Sequence, residues 1–127
     1  MLETSIIKTN NFNMLNIMNQ SKFKNITTIQ NKIFSCKFCI RSIIHLFLIG
    51  SYKENHSKTT MDIDLVTIIK DDTNYFTFMR KLSPILSDCT KEIDILVTCF
   101  PIHFSIYSKS SSQFIKNVKN NGIKLKI

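Results

Sequence analysis

Residues 43–69 read IIHLFLIGSYKENHSKTTMDIDLVTII, and the fold turns on how this stretch is parsed. Ile43 to Ile49 is short, rich in β-branched and large apolar residues, and has no polar face, which predicts a strand buried on both sides. Gly50-Ser51 ends it, Lys53 to Thr60 forms a polar loop, and the chain resumes as a second strand over Asp62 to Ile69. Side chains alternate along a strand, so Asp62 and Asp64 share one face about 6–7 Å apart. Val66 and Ile68 continue that face with apolar groups, while Ile63, Leu65 and Ile69 occupy the other. The two aspartates are therefore the polar end of an otherwise apolar face.

Working outward, apolar residues recur at three- and four-residue steps between Phe12 and Phe38, predicting one or two amphipathic helices. Asn74 to Leu86 reads as a helix that Pro84 kinks or ends early. Glu92 to Cys99 (EIDILVTC) reads as a third strand carrying Asp94 between two isoleucines. Pro101 opens a loop, Ser110 to Asn120 reads as a helix, Asn121-Gly122 supplies a stop signal, and Ile123 to Ile127 forms a short last strand. The expected fold class is α/β (α+β in some schemes): a small mixed β-sheet with flanking helices, packed mainly on one side. At 127 residues the chain suits a single domain with one core. Residues 1–40 are expected to form an N-terminal helical segment packing on a core of residues 41–127.

The formal net charge of +8 is unevenly spread, with +5 over residues 1–49, −2 over 50–100 and +5 over 101–127. An acidic centre between basic flanks suits a polyanion with cations at the middle. Solvated lysines on a chain rich in Lys, Asn and Ile give the same count. No apolar run approaches the roughly 20 residues that span a bilayer, and residues 1–20 lack a secretory pattern, so a soluble cytoplasmic protein without membrane partners is expected. Cys36-Lys-Phe-Cys39 is half of a zinc knuckle without a second half, since Cys89 and Cys99 stand ten apart. The four cysteines are expected to be reduced and buried, with the CxxC following a helix rather than starting one. His45, His56 and His103 have no ligand spacing and are read as structural or exposed. Asp71-Asp72 is expected to cap the helix that follows the second strand.

The chemistry is expected where carboxylates cluster. If the second and third strands pair, Asp62, Asp64 and Asp94 converge, and like charges about 4 Å apart repel by about 4 kcal/mol at an effective dielectric near 20. Such a cluster calls for a hard cation, Mg²⁺ or Mn²⁺. Taken alone, Asp-x-Asp on a strand fits equally well the wet face of an amphipathic strand, and Gly-Ser after a strand is an ordinary turn. In combination, Gly50-Ser51 after a buried strand, Asp62-x-Asp64 twelve residues after Gly50, and Asp94 one strand later resemble the polymerase β-type nucleotidyltransferase superfamily. The likeness is to its minimal, antitoxin-like members. It covers roughly Ile43 to Ile127, and the ending SQFIKNVKNNGIKL is similar to the endings of those small proteins.

The resemblance implies that Asp62 and Asp64 ligate two Mg²⁺ (or Mn²⁺) ions and that Asp94 completes the site of the ion activating the attacking hydroxyl. Gly50, Ser51 and Lys53 would position the phosphates of ATP or another nucleoside triphosphate. It implies transfer of a nucleoside monophosphate, AMP from ATP by preference, to a hydroxyl acceptor, with pyrophosphate leaving. By the same resemblance, the acceptor belongs to a helical partner toxin of the HEPN type. Asn55 and Met61 depart from the pattern, as does Lys53 where small members carry Arg. The competing reading is a non-catalytic domain that binds nucleic acid through its basic flanks or stabilises a partner protein.

Overall fold

The computed structural model describes residues 20–50 and 62–127 of the chain. They form a small α+β fold, a mixed four-stranded sheet flanked by helices. In chain order the elements are α1 (Gln20–Phe34), α2 (Lys37–Ser42), β1 (Ile43–Ile49), β2 (Ile63–Ile69), α3 (Tyr75–Ile93), β3 (Val97–His103), α4 (Phe104–Lys109), α5 (Gln113–Asn121) and β4 (Ile123–Leu125). The sheet order is β3-β2-β1-β4. β1 runs antiparallel to β2 and β4, whereas β2 and β3 are parallel, with α3 as the crossover between them.

The alternation expected of β2 is what divides the interior. Ile63, Leu65 and Ile69 join Leu46 and Leu48 of β1, Val97 and Cys99 of β3 and Ile123 and Leu125 of β4 on one face. Against that face α1 lays Ile26, Ile29 and Ile33, and α3 lays Phe78, Leu82, Leu86 and Cys89, each set at helical spacing. Full burial of each Leu, Ile or Phe contributes roughly 1.5–3 kcal/mol, so this face holds most of the core. On the other face Val66, Ile68 and Phe47 pack beneath Val118 of α5, with Ile49, Ile102 and Tyr107 at the margin. Helices thus lie on both sides of the sheet, with α1, α2 and α3 on the face that holds most of the core. α1 and α2 share the core with the sheet, and α2 crosses the boundary expected at residues 40/41.

Several element limits differ from expectation, for identifiable reasons. Of the helical pattern read over residues 12–38, residues 12–19 lie outside the described residues; the rest breaks after Phe34 and restarts at Lys37. α3 does not stop at Pro84 but continues to Ile93. Leu86 and Cys89, both beyond the proline, are buried, and that burial offsets the roughly 3 kcal/mol that an internal proline costs. The longer helix consumes Glu92 and Ile93, so β3 starts at Val97 rather than Glu92. Pro101 lies inside β3, opposite Thr67, rather than opening a loop; β3 is an edge strand, where a missing N–H is tolerated. α4 was not anticipated, and the last helix starts at Gln113, where the Ser112 hydroxyl accepts the Ile115 N–H at 3.3 Å.

Asp71 does not cap α3. That cap is Asn74, whose side-chain oxygen accepts the Thr77 N–H at 2.9 Å. Asp71 instead accepts the Ser105 N–H at 2.9 Å, in the first turn of α4, and this backbone hydrogen bond holds its carboxyl below the usual range. His103, just before α4, pairs its Nε2 with the Thr73 carbonyl at 2.8 Å, a structural role as expected. His45 rests against Phe47 and Tyr107, and His56 lies outside the described residues.

Candidate functional site

The antiparallel register sets Ile49 opposite Asp64, which brings Gly50 to the end of the sheet where β2 begins. Gly50 has φ 77, the left-handed region that side chains disfavour. A Cβ placed there would stand 3.1 Å from Oδ2 of Asp64. The backbone at Gly50 therefore passes directly against the carboxylate, and the absence of a side chain keeps that approach possible. The other oxygen, Oδ1, accepts the Thr98 hydroxyl at 2.7 Å. Thr98 reaches it because β2 and β3 are parallel with Asp64 opposite Thr98. Asp64 is half-buried on the face of Val66 and Ile68, as the alternation predicts, and Asp62 is exposed immediately before β2.

Asp94 is placed differently from expectation. It sits not on β3 but at the C-cap of α3, exposed, in the left-handed conformation with φ 58. Its N–H donates to the Thr90 carbonyl at 2.9 Å, and the Thr90 hydroxyl accepts the Val97 N–H at 3.1 Å, closing the turn into β3. The Ile63 N–H donates to the Leu96 carbonyl, so the turn carrying Asp94 lies at the same end of the sheet as Asp62. Strand alternation nonetheless does not aim Asp94 at Asp64. Among the described residues no group of three His, Cys, Asp or Glu side chains is placed to hold a metal ion, and the three-carboxylate convergence is not formed. Ser51 and Lys53 lie outside the described residues, as do Asn55 and Met61.

What the site does present is two carboxylates at the rim of the sheet, one of them oriented by a neutral donor and by close backbone. That suits Mg²⁺, which is commonly held by one or two carboxylates together with substrate phosphates and water. Beside it on β3, Phe100 follows Thr98 on the same face, 54% exposed and edge-on to Phe114 of α5 at 6.3 Å between ring centroids. The basic tail reaches this side too, Lys119 lying 4.9 Å from the Tyr107 ring centroid and Lys124 lying 5.8 Å from that of Phe47. Sequence reasoning did not find Thr98. Its importance depends on the β2–β3 register, for which the chain carries no local signal.

A cavity of about 410 Å³ opens at the opposite end of the sheet, lined by Phe38, Arg41, Lys70, Asp72, Asn74 and Thr77. It is roughly one strand length, about 20 Å, from Asp64, and takes no part in this site. No protein-family model, curated protein or solved structure matches the chain. Among the described residues no helix is long and apolar enough to cross a membrane.

Proposed function

We propose that the chain is a metal-dependent nucleotidyltransferase, moving a nucleoside monophosphate, AMP from ATP by preference, to a hydroxyl acceptor. The observation that carries this reading is the seating of Gly50, at φ 77, against Oδ2 of Asp64. A strand end free of side chains beside a fixed carboxylate leaves room for a phosphate to approach both backbone N–H groups and a carboxylate-held cation. Asp62 and Asp64 would hold Mg²⁺, and the Thr98 hydroxyl fixes the orientation of the Asp64 carboxylate. When bound, the cation would neutralise the triphosphate and stabilise the departing pyrophosphate. Gly50 gives the backbone its close approach, and Ser51 and Lys53 are assigned to the phosphates by motif. Asp94 has no part in the proposal, because the turn of α3 into β3 uses it as a cap. The acceptor is assigned to a partner protein, following the resemblance in the sequence.

The test is transfer of label from ATP marked at the α- or the γ-phosphate, with Mg²⁺ and lysate of the source cell. Wild-type protein is expected to transfer the α-label alone. Asp64→Asn, folded by circular dichroism, is expected to lose more than roughly 100-fold of that activity, since even groups outside the ligand set cost 10–100-fold. Absence of α-label transfer with ATP, GTP, CTP and UTP would sink the enzymatic reading. Salt-dependent nucleic-acid binding unaffected by Asp64→Asn would then favour a basic binding module.

A further inference from the structure

Cys36 and Cys39 stand where α1 hands over to α2. Cys36 is extended, φ −96 and ψ 106, and is the N-cap of α2, so the CxxC follows one helix, as expected, and also starts the next. Its Sγ accepts the Cys39 N–H at 3.3 Å, and the Cys39 thiol is hydrogen-bonded to Cys36 as well. Cys-x-x-Cys at a helix start is a spacing at which redox-active dithiols occur, and a disulfide needs the two Cβ atoms about 3.5–4.5 Å apart. The 3.3 Å contact places the Cys36 sulfur directly against residue 39. Their exposure differs: Cys36 is half-buried, whereas Cys39 is fully buried among the side chains of α1, α3 and the sheet. Cys89 and Cys99 are buried and free, so Cys36 is the thiol that solvent reaches.

We propose that Cys36 and Cys39 form a reversible dithiol–disulfide modification site, in which Cys36 reacts with a low-molecular-weight disulfide such as oxidised glutathione and Cys39 completes the exchange. In the first step the Cys36 thiolate attacks one sulfur of oxidised glutathione, and glutathione leaves as the thiolate and takes up a proton. In the second, Cys39 loses its proton to water or buffer base and attacks the Cys36 sulfur, releasing a second glutathione. Two protein thiols are oxidised by two electrons, and one glutathione disulfide is reduced to two thiols. Burial, then the bond to Cys36, pushes the Cys39 thiol up to about 12. The buried partner therefore stays protonated and inert near neutral pH until an adduct forms beside it, and its ionisation governs the second step.

The test treats the folded full-length protein with oxidised glutathione, quenches in acid, alkylates and maps peptides by mass spectrometry. The expected product is an intrachain Cys36–Cys39 disulfide, two hydrogens lighter, with Cys89 and Cys99 still alkylatable after unfolding. Cys39→Ser is expected to stop at one glutathionyl group on Cys36. Cys36→Ser, which keeps a capping oxygen, is expected to take up none while folded. Closure is expected to accelerate roughly tenfold per pH unit below the Cys39 pKa, following its thiolate fraction. A wild-type adduct that persists on Cys36, closure onto Cys89 or Cys99, or an unreactive Cys36 would each overturn the assignment. The wild-type result decides the matter even if a variant fails to fold.

Discussion

At Gly50 two constraints meet that together favour glycine: a positive φ of 77 and a carboxylate oxygen 3.1 Å from where a Cβ would begin. Gly50→Ala places a methyl group against Oδ2 of Asp64 and forces an L-residue into the left-handed region, at about 1–2 kcal/mol. The expected outcome is a lower urea midpoint with unchanged slope, and weaker Mg²⁺-dependent nucleotide binding, measured by calorimetry. An unchanged midpoint would mean the turn relaxes without using Asp64. The aspartates and the glycine were legible in the sequence because each is an exception to its surroundings, a polar or flexible residue interrupting an apolar run. Thr98 was not, since a threonine in VTCF is unexceptional in a strand, and only the pairing to β2 gives its hydroxyl a target.

Asp94 shows how an element can be misread while its residues are read correctly. Ile93 and Ile95 flanking an acid look like strand alternation, and both are partly buried against the core, but Ile93 ends a helix and Asp94 supplies its left-handed cap. The usual signals of that cap, Gly or Asn, are absent, and Pro84 argues for an earlier stop. Tertiary burial of Leu86 and Cys89 overrides both signals, and β3 begins correspondingly later. A cap and a metal ligand respond oppositely to one substitution. Asp94→Gly relieves the left-handed strain and is expected to raise stability by about 1 kcal/mol while leaving nucleotidyl transfer intact. A loss of transfer in a stabilised protein would return Asp94 to the site.

For the molecule as a whole, the alternation in β2 and the helical stripes of α1 and α3 make the layered core legible in the sequence. On the other face α5 was legible from its apolar stripe, and α4 was hidden by its shortness. α4 has six residues and no buried side chain, and is anchored from outside by Asp71. That anchor titrates. The Asp71 carboxyl is held below its ordinary value by the Ser105 N–H, so its stabilising effect is complete above the ordinary carboxylate range and is lost as pH falls through the lowered folded value. Thermal melts of wild type and Asp71→Ala are expected to differ near neutral pH and to converge as pH falls below about 4. A gap that stays constant down to about pH 2 would mean that the aspartate acts by shape rather than charge.

The two outer rims of the sheet share a further property. On one side β4 offers only three residues, and on the other the seven-residue β3 carries Pro101 as its fifth, a position with no hydrogen to donate. A stray extended peptide laid along either rim would find too short a ladder or a gap in it. The fold thus discourages self-templated polymerisation through its own backbone, whatever its surface charge, even where chains crowd together at high concentration.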